Sequence, residues 1–149
     1  MCIRDRLQRV KEASVTVDDK IISEIDKGLV VLVGVSVEDR EEDCSYLASK
    51  IPALRIFEDK EHKMNLSCKD ISGQILVISQ FTLISDTQKG NRPSFSKAAK
   101  ADKAEKLYNY FVEQLKQSNL IVKTGQFAKH MQVKIVNDGP VTFILNSKH

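Results

Sequence analysis

The sequence predicts an α+β fold in which helices cover a curved sheet. Segments with strand-type patterns outnumber helical ones, and most follow one another directly along the chain, which favours this layering. The 149 residues fit one domain, large enough to bury about two-thirds of its extended surface. There is no internal repeat or low-complexity segment to suggest another architecture.

Strands are predicted where β-branched residues alternate with polar ones or form short apolar runs. In the first half of the chain, the Asp18-Asp19 turn separates two strands, and a long β-branched run follows that suits a central strand. The predicted strands cover residues 13–17, 21–25, 29–37, 54–57, 74–83, 121–123, 131–136 and 141–145.

Two helices are predicted between these strands. Acidic residues at 38–42 favour the start of the first helix, because carboxylates stabilise a helix N-terminus. Pro52 is expected to end or kink this helix, since proline lacks an N–H and disfavours the helical conformation at Ile51. The second helix is predicted over residues 96–117. Its buried face is expected to consist of Ala104, Leu107, Phe111 and Leu115.

The formal charge of +3 does not by itself identify a nucleic-acid binder. The cations are nevertheless unevenly distributed. Six lie close together downstream of the predicted strand 74–83: Lys89, Arg92, Lys97, Lys100, Lys103 and Lys106. The last three fit a solvated helix face, whereas Lys89 and Arg92 are the better candidates for contacting a polyanion.

Several classes of site are poorly supported. The three cysteines are Cys2, Cys44 and Cys68. Their odd number and the lack of a C-x-x-C pair predict reduced thiols in a cytoplasmic protein. The histidines stand in no recognisable catalytic motif, and no nucleotide-binding glycine fingerprint occurs. We therefore expect no metal and no cofactor, and no apolar run approaches the ~20 residues of a membrane span.

Two short segments are the strongest candidates for a site. Residues 137–142, Asn-Asp-Gly-Pro-Val-Thr, read locally as a hairpin turn between the last two predicted strands. Glycine also lets backbone approach a ligand closely, and the bond before proline is the only peptide bond whose cis form is cheap. Residues 79–83, Ser-Gln-Phe-Thr-Leu, read locally as a strand end with a phenylalanine in the core.

Together these segments resemble the D-aminoacyl-tRNA deacylase family. The resemblance runs from about Leu7 to Asn146. It includes further motifs in the same order, such as Gln8-Arg9-Val10, Lys27-Gly28-Leu29, Lys89-Gly90-Asn91-Arg92-Pro93-Ser94-Phe95 and Thr124-Gly125-Gln126-Phe127. No single motif is specific, but their shared order and spacing are.

The resemblance implies one D-aminoacyl-tRNA deacylase domain over residues 1–149, with the fold of that family: a curved, mostly antiparallel sheet covered by two main helices, in a homodimer. It implies hydrolysis of the ester of D-aminoacyl-tRNA, and of mischarged glycyl-tRNA, with L-aminoacyl-tRNA rejected. The expected partners are the 3′ end of aminoacyl-tRNA and a second copy of the chain, with no membrane and no DNA.

The catalytic residues implied by the resemblance are Ser79, Gln80, Phe81 and Thr82. Their backbone N–H groups, those of Phe81 and Thr82 especially, would face the developing oxyanion. The substrate's own ribose hydroxyl, beside the ester, would take part in the reaction. Thr82 as a nucleophile ranks second, because no base stands beside it in the sequence.

The substrate-binding residues implied by the resemblance are Gly139, Pro140, Arg9, Phe127 and Met131. If the bond between Gly139 and Pro140 is cis, their carbonyl oxygens would project into the pocket of the partner subunit and exclude L-residues by clash. Arg9 would brace this loop through its guanidinium donors. Phe127 and Met131 would lie near the terminal adenine, although both also suit an ordinary core.

The chain departs from the family's pattern in three places. Arg4, Asp5 and Arg6 place charges where buried apolar residues are expected, so either the first strand begins at Leu7 or residues 1–6 are not native. Pro52 is not expected in the first helix. Ala128 stands where many relatives carry glycine.

Two competing functions fit the same sequence. One is a non-catalytic module of the same fold that binds the 3′ end of tRNA. The other is a hydrolase of free D-amino-acid esters or peptides, which would not need the cationic loop around Lys89 and Arg92. Salt dependence distinguishes the latter, because engagement of tRNA releases counterions.

Overall fold

The structure is a computed structural model that describes residues 3–148. Within them, eight strands, two α-helices and one short 3₁₀ helix occur. In chain order they are β1 (Arg4–Val17), β2 (Lys20–Ile25), β3 (Gly28–Gly34), α1 (Glu41–Ala53), β4 (Phe57–Glu58), β5 (Met64–Leu66), β6 (Gln74–Ser79), the 3₁₀ helix Phe81–Leu83, α2 (Ala101–Lys116), β7 (Val122–Thr124) and β8 (Gln132–Asn146).

Six strands form one curved sheet that β1 organises. β1 pairs antiparallel with β2 and β3 along one edge and with β8 along the other. β3 then pairs with β6, and β6 with β7, in parallel. The short strands β4 and β5 form a separate antiparallel pair. The predicted α+β fold, a mostly antiparallel curved sheet covered by two helices, is confirmed.

Apolar residues on the two faces of the sheet form two cores. One core lies between the sheet and the two helices, and Leu107, Phe111 and Leu115 of α2 are buried in it while Ala104 packs partly against it. This confirms the predicted buried face of α2. The second core lies inside the curved sheet, where alternate residues of β1 meet β3 and β6. Alternation of side chains across a strand explains why β1 contributes to both.

The C-terminal third of the sheet differs from the prediction. The segments predicted at 131–136 and 141–145 do not form a hairpin. Residues 132–136 and 141–145 belong to one strand, β8, which pairs with β1 over its length. Val10 pairs with Asn137 and Gln8 with Thr142, so Arg9 alone lies opposite the four residues 138–141. These four residues form a bulge, a site where a strand tolerates a proline that cannot donate to the ladder.

Other boundaries shift for local reasons. β6 ends at Ser79 rather than at residue 83, because the chain turns there into the 3₁₀ helix. β3 ends at Gly34 rather than at 37, since Asp39 Oδ2 accepts a hydrogen bond from Ser36 N and closes a turn. α2 begins at Ala101 rather than at 96, because Ala98 forms a bridge with Ser36 in the turn that follows β3. β4 covers only Phe57–Glu58, β7 is shifted by one residue, and β5 was not predicted.

The first helix follows the prediction. Its first turn is acidic, and the Asp43 carboxylate accepts a hydrogen bond from Arg40 N at 2.9 Å. Pro52 lies in the last turn, and the helix ends one residue later, with Leu54 extended. No helix within residues 3–148 is long and apolar enough to cross a membrane.

The start of β1 corrects the prediction that this strand begins at Leu7. β1 begins at Arg4, with Arg4 and Arg6 exposed and Asp5 fully buried. Asp5 lies on the same face of the chain as Ile3 and Leu7, which belong to the core between the sheet and the helices. Burial, and then the charge of Asp39, raises the pKa of Asp5 well above its ordinary value. That residues 1–6 are not native stays a prediction, and Cys2 lies outside the described residues.

Candidate functional site

Residues 79–82 form an exit from the sheet with two free backbone donors. Gln80 N donates to Val33 O at 2.8 Å, which holds the end of β6 to β3. In the following 3₁₀ turn, Leu83 N donates to Gln80 O at 3.2 Å. The N–H groups of Phe81 and Thr82 have no acceptor within residues 3–148. These are the unpaired first donors of a helical turn, and they are available to a ligand.

The side chains of this segment do not form a nucleophile and base. The hydroxyl of Thr82 accepts a hydrogen bond from the Gln80 side-chain amide. No carboxylate or imidazole of the described chain is hydrogen bonded to Thr82. The Phe81 ring is 56% exposed, so the alternative interpretation that placed it in the core is wrong.

Phe127 and Met131 lie in the segment that follows β7. β7 runs parallel to β6, and Gly125 N donates to Val77 O at 3.1 Å, so this segment leaves the sheet at the same edge as residues 79–82. The Phe127 ring centroid lies 5.8 Å from that of Tyr108. The sulfur of Met131 accepts a hydrogen bond from Gln126 N at 3.4 Å. Both side chains are half-buried beside the core.

Gly139 and Pro140 lie exposed in the bulge of β8. The peptide bond between them is cis, and Gly139 has a φ of 133°. A Cβ atom at Gly139 would lie 2.6 Å from Val141 Cγ2 and 3.2 Å from the Arg9 guanidinium. The position therefore requires glycine.

Arg9 stabilises this bulge through its guanidinium group. Its side chain is buried, Nε donates to Asp138 O at 3.1 Å, and one terminal nitrogen donates to Ile56 O at 3.0 Å. Its other terminal nitrogen lies 3.6 Å from Glu58 Oε1. The sequence analysis assigned no role to Asn137, yet its Oδ1 accepts a hydrogen bond from Val141 N at 3.1 Å and closes the bulge. An asparagine before a Gly-Pro turn was the available signal, since Asn commonly bonds to backbone a few residues ahead.

The two segments do not meet within the described chain. Ser79 pairs with Val33, Val33 with Asp5, and Asp5 with Leu145, so two strands separate β6 from β8. Gly139 lies six residues from Leu145 along β8. Standard strand spacing and rise place Gly139 about 14 Å across the sheet and about 20 Å along the strand from Ser79. No hydrogen bond, ion pair or ring contact joins residues 79–82 to 138–141 in the described chain.

Other nucleophiles and metal ligands are not gathered into a site. Among residues 3–148, no three His, Cys, Asp or Glu side chains are grouped so that they could hold a metal ion. Cys44 and Cys68 are buried and unpaired, and burial raises the pKa of each thiol to about 12. They are therefore poor nucleophiles. Ala128 has a φ of 59°, a conformation that glycine would adopt at lower cost.

Comparison with known proteins adds independent evidence. The sequence model of the D-Tyr-tRNA(Tyr) deacylase family matches residues 6–146. The D-aminoacyl-tRNA deacylase of Caldicellulosiruptor saccharolyticus is 57% identical over 146 residues, 98% of each chain. That of Thermotoga petrophila is 54% identical over 145 residues, 97% of each chain.

Solved structures share the fold. A protein described as c-Myc DNA Unwinding Element Binding Protein superimposes with a TM-score of 0.92 at 43% identity, over 98% of this chain and 99% of its own. A probable eukaryotic D-amino acid tRNA deacylase gives a TM-score of 0.84 at 19% identity over 98% of this chain and 100% of its own, a likeness of fold alone. On the sequence evidence, the chain belongs to the D-Tyr-tRNA(Tyr) deacylase family.

Proposed function

We propose that this protein hydrolyses the ester bond of D-aminoacyl-tRNA, releasing tRNA and the D-amino acid, and that it rejects L-aminoacyl-tRNA. The observation that carries the proposal is the pair of free N–H groups at Phe81 and Thr82, in a chain whose relatives bear the name of this activity. The buried, unpaired thiols of Cys44 and Cys68 are consistent with the cytoplasmic location that we propose.

In the proposed mechanism, backbone donors stabilise the oxyanion. The ester carbonyl lies against the N–H groups of Phe81 and Thr82, and the ribose hydroxyl beside the ester takes part in its cleavage. Removing one such donor typically lowers the rate by about 10²–10³-fold. Thr82 as nucleophile is the weaker mechanism, because its hydroxyl is bonded to the Gln80 amide rather than to a base.

Thr82→Pro removes the backbone donor of Thr82, because proline has no N–H, and it also disfavours the helical conformation at Phe81. We expect kcat on D-aminoacyl-tRNA to fall by about 10²–10³-fold. The wild-type N–H makes no hydrogen bond within residues 3–148, so the loss of a structural bond does not explain such a fall. Thermal unfolding checks that the variant is folded. A folded variant with wild-type kcat would contradict the oxyanion role.

We further propose that the chiral filter is built between two subunits. Gly139 and Pro140 are exposed and Arg9 braces their bulge, while residues 79–82 lie several strands away in the same protomer. A two-fold dimer would let each subunit lend its Gly139-Pro140 bulge to the site of the other. The bulge would exclude L-residues by clash, and a glycyl ester, with no side chain, would escape the filter. Phe127 and Met131 would contact the terminal adenine.

Complementation tests the intersubunit site. Thr82→Pro damages the donors and Gly139→Ala damages the bulge. A heterodimer of the two variants would keep one sound site, so we expect mixing to restore part of the activity and its D-selectivity. The matched control is each variant mixed with itself. No recovery in a demonstrated heterodimer, or full selectivity in a purified monomer, would contradict the proposal.

The direct test of function compares matched D- and L-aminoacyl-tRNA. We expect loss of the D-ester with the L-ester spared, and we expect the rate to survive EDTA. Equal rates on the two stereoisomers would contradict the proposal. Binding of tRNA without cleavage would instead support a non-catalytic module. Competition by duplex DNA tests whether the chain also binds DNA, since a 43%-identical structure is named for binding a DNA element.

A further inference from the structure

Residues 86–97, called the arm below, have a fixed shape although almost all of them are exposed. Asp86 and Ser94 exchange two backbone hydrogen bonds, with N-to-O distances of 2.8 and 2.9 Å. At the far end of the arm, Val37 N donates to Lys97 O at 3.1 Å, which ties the arm to the chain beyond β3. The arm is thus a closed loop held at its base, not a free tail.

The arm reaches the proposed catalytic segment through an aromatic pair. The Phe95 ring meets the Phe81 ring edge to face, with 5.1 Å between centroids. The two rings are 37% and 56% exposed, respectively. Paired rings left in solvent beside free backbone donors expose apolar surface that a ligand could cover. The sequence motif containing Phe95 gave no indication of this contact.

The arm also concentrates unneutralised cations. Lys89 and Arg92 are exposed and make no salt bridge within residues 3–148. A groove of about 320 Å³ at the base of the arm is lined by Arg4 and Lys97, and its one acidic lining residue is Asp86. Asp86 already accepts a hydrogen bond from Gln88 N at 2.9 Å. The surface next to the free N–H groups is therefore cationic and aromatic together.

These features match one ligand chemistry. Single-stranded nucleic acid offers phosphates to cations and bases to aromatic rings. We propose, on the basis of the function proposed above, that the arm binds the single-stranded RNA segment immediately 5′ of the esterified nucleotide. Lys89 and Arg92 contact its phosphates, and Phe95 with Phe81 stacks one of its bases. An acidic protein surface would satisfy the cations but would leave the rings without a role.

The test compares a substrate that reaches the arm with one that does not. D-aminoacyl-tRNA carries the phosphates, whereas D-aminoacyl-adenosine has none. For Lys89→Gln with Arg92→Gln, we expect the ratio of kcat/KM on these two substrates to fall about tenfold or more. The slope of log Kd for uncharged tRNA against log salt should decrease by about 1.4 for two lost single-strand contacts. Phe95→Leu should lower the same kcat/KM ratio about tenfold through lost stacking.

The matched control is Lys20→Gln with Lys27→Gln, which removes the same charge. Lys27 precedes β3 at the opposite end of the sheet from Ser79, and Lys20 lies in β2. This control should keep the wild-type ratio and salt slope. The proposal would be overturned if the arm variant kept the wild-type kcat/KM ratio and salt slope. It would also be overturned if the arm variant changed its oligomeric state. The two proposals fail separately. If the wild type cleaves neither D-aminoacyl-tRNA nor D-aminoacyl-adenosine, the proposed function is refuted. The salt slope for binding of uncharged tRNA, which needs no catalysis, still tests the arm.

Discussion

Residues 79–82 and residues 138–141, the two segments of the proposed site, each lie near a buried ionisable residue of β1, and these two residues differ in their partners. Asp5 lies in the same row of the sheet as Val33 and Ser79, and neither of its carboxylate oxygens has a partner within residues 3–148. Arg9 lies beside the bulge and contacts two carbonyls and two carboxylates. A buried charge thus fixes a segment only where it has partners, and elsewhere it costs stability.

Arg9→Ala should have the largest effect. The substitution breaks the two hydrogen bonds that the buried guanidinium donates to carbonyls, and hydrogen bonds to charged groups contribute about 1.5–3 kcal/mol each. The change would leave the buried Ile56 carbonyl without its donor and the bulge without its brace. We expect a comparable loss in the free energy of unfolding, measured with urea, and a lower ratio of D- to L-ester cleavage. Lys11→Ala, exposed on the same strand, should change stability by less than about 0.5 kcal/mol.

Asp5→Leu should have the opposite sign. An unsatisfied buried polar group costs about 1–3 kcal/mol, and more when charged. Leucine matches the apolar neighbours Ile3 and Leu7, so we expect the free energy of unfolding at pH 7 to rise by about 2 kcal/mol. Equal stability of the wild type and Asp5→Leu would show that the carboxyl has found a partner.

The pH dependence of stability sharpens this prediction. Burial raises the pKa of Asp5 in the folded state, so the folded chain holds this proton more tightly than the unfolded chain. The contribution of Asp5 is therefore most favourable below the unfolded pKa of about 4 and is lost as pH rises through the folded pKa. Asp5→Asn should remove this dependence without the gain in packing. Urea unfolding of the three proteins between pH 4 and 8 measures the difference.

Gly139→Ala should have an intermediate effect. The φ of 133° and the contact of 2.6 Å with Val141 Cγ2 make a Cβ unfavourable, at about 1–3 kcal/mol. D-selectivity should fall with the displaced bulge. Gly90→Ala is the stability control, since Gly90 also has a positive φ, 65°, but a Cβ there meets no atom within 4 Å. If both substitutions cost the same, the crowding around Gly139 is unimportant.

Thr82→Ala should have the smallest effect. Its backbone N–H remains, and only the contact with the Gln80 amide is lost. We expect kcat on D-aminoacyl-tRNA to stay within about tenfold of wild type, the usual limit for losing one weak interaction of about 1 kcal/mol. A fall to the uncatalysed rate, or an acyl group trapped on the wild-type Thr82, would favour a nucleophilic threonine.

Several features could be predicted because they depend on local pattern. The apolar spacing in α2 identified Leu107, Phe111 and Leu115 as core, and the apolar run before Ser79 identified β6. The bulge was harder, because Gly139-Pro140 between two apolar runs has the same local pattern as a hairpin. The distinction depends on pairing with β1, more than a hundred residues away in sequence.

The sequence by itself determined the fold class, the helices and most strands, because periodicity and turn chemistry act over a few residues. Its resemblance to a known family identified the two segments to examine. Only the tertiary structure decided that Asp5 is buried without a partner, that Phe95 meets Phe81, and that residues 79–82 lie far along the sheet from residues 138–141. The physical reason is that burial and contact across strands depend on which segments pair and in which register. Here the partners of β1 include β8, more than a hundred residues away, so neighbours in the chain do not decide the outcome.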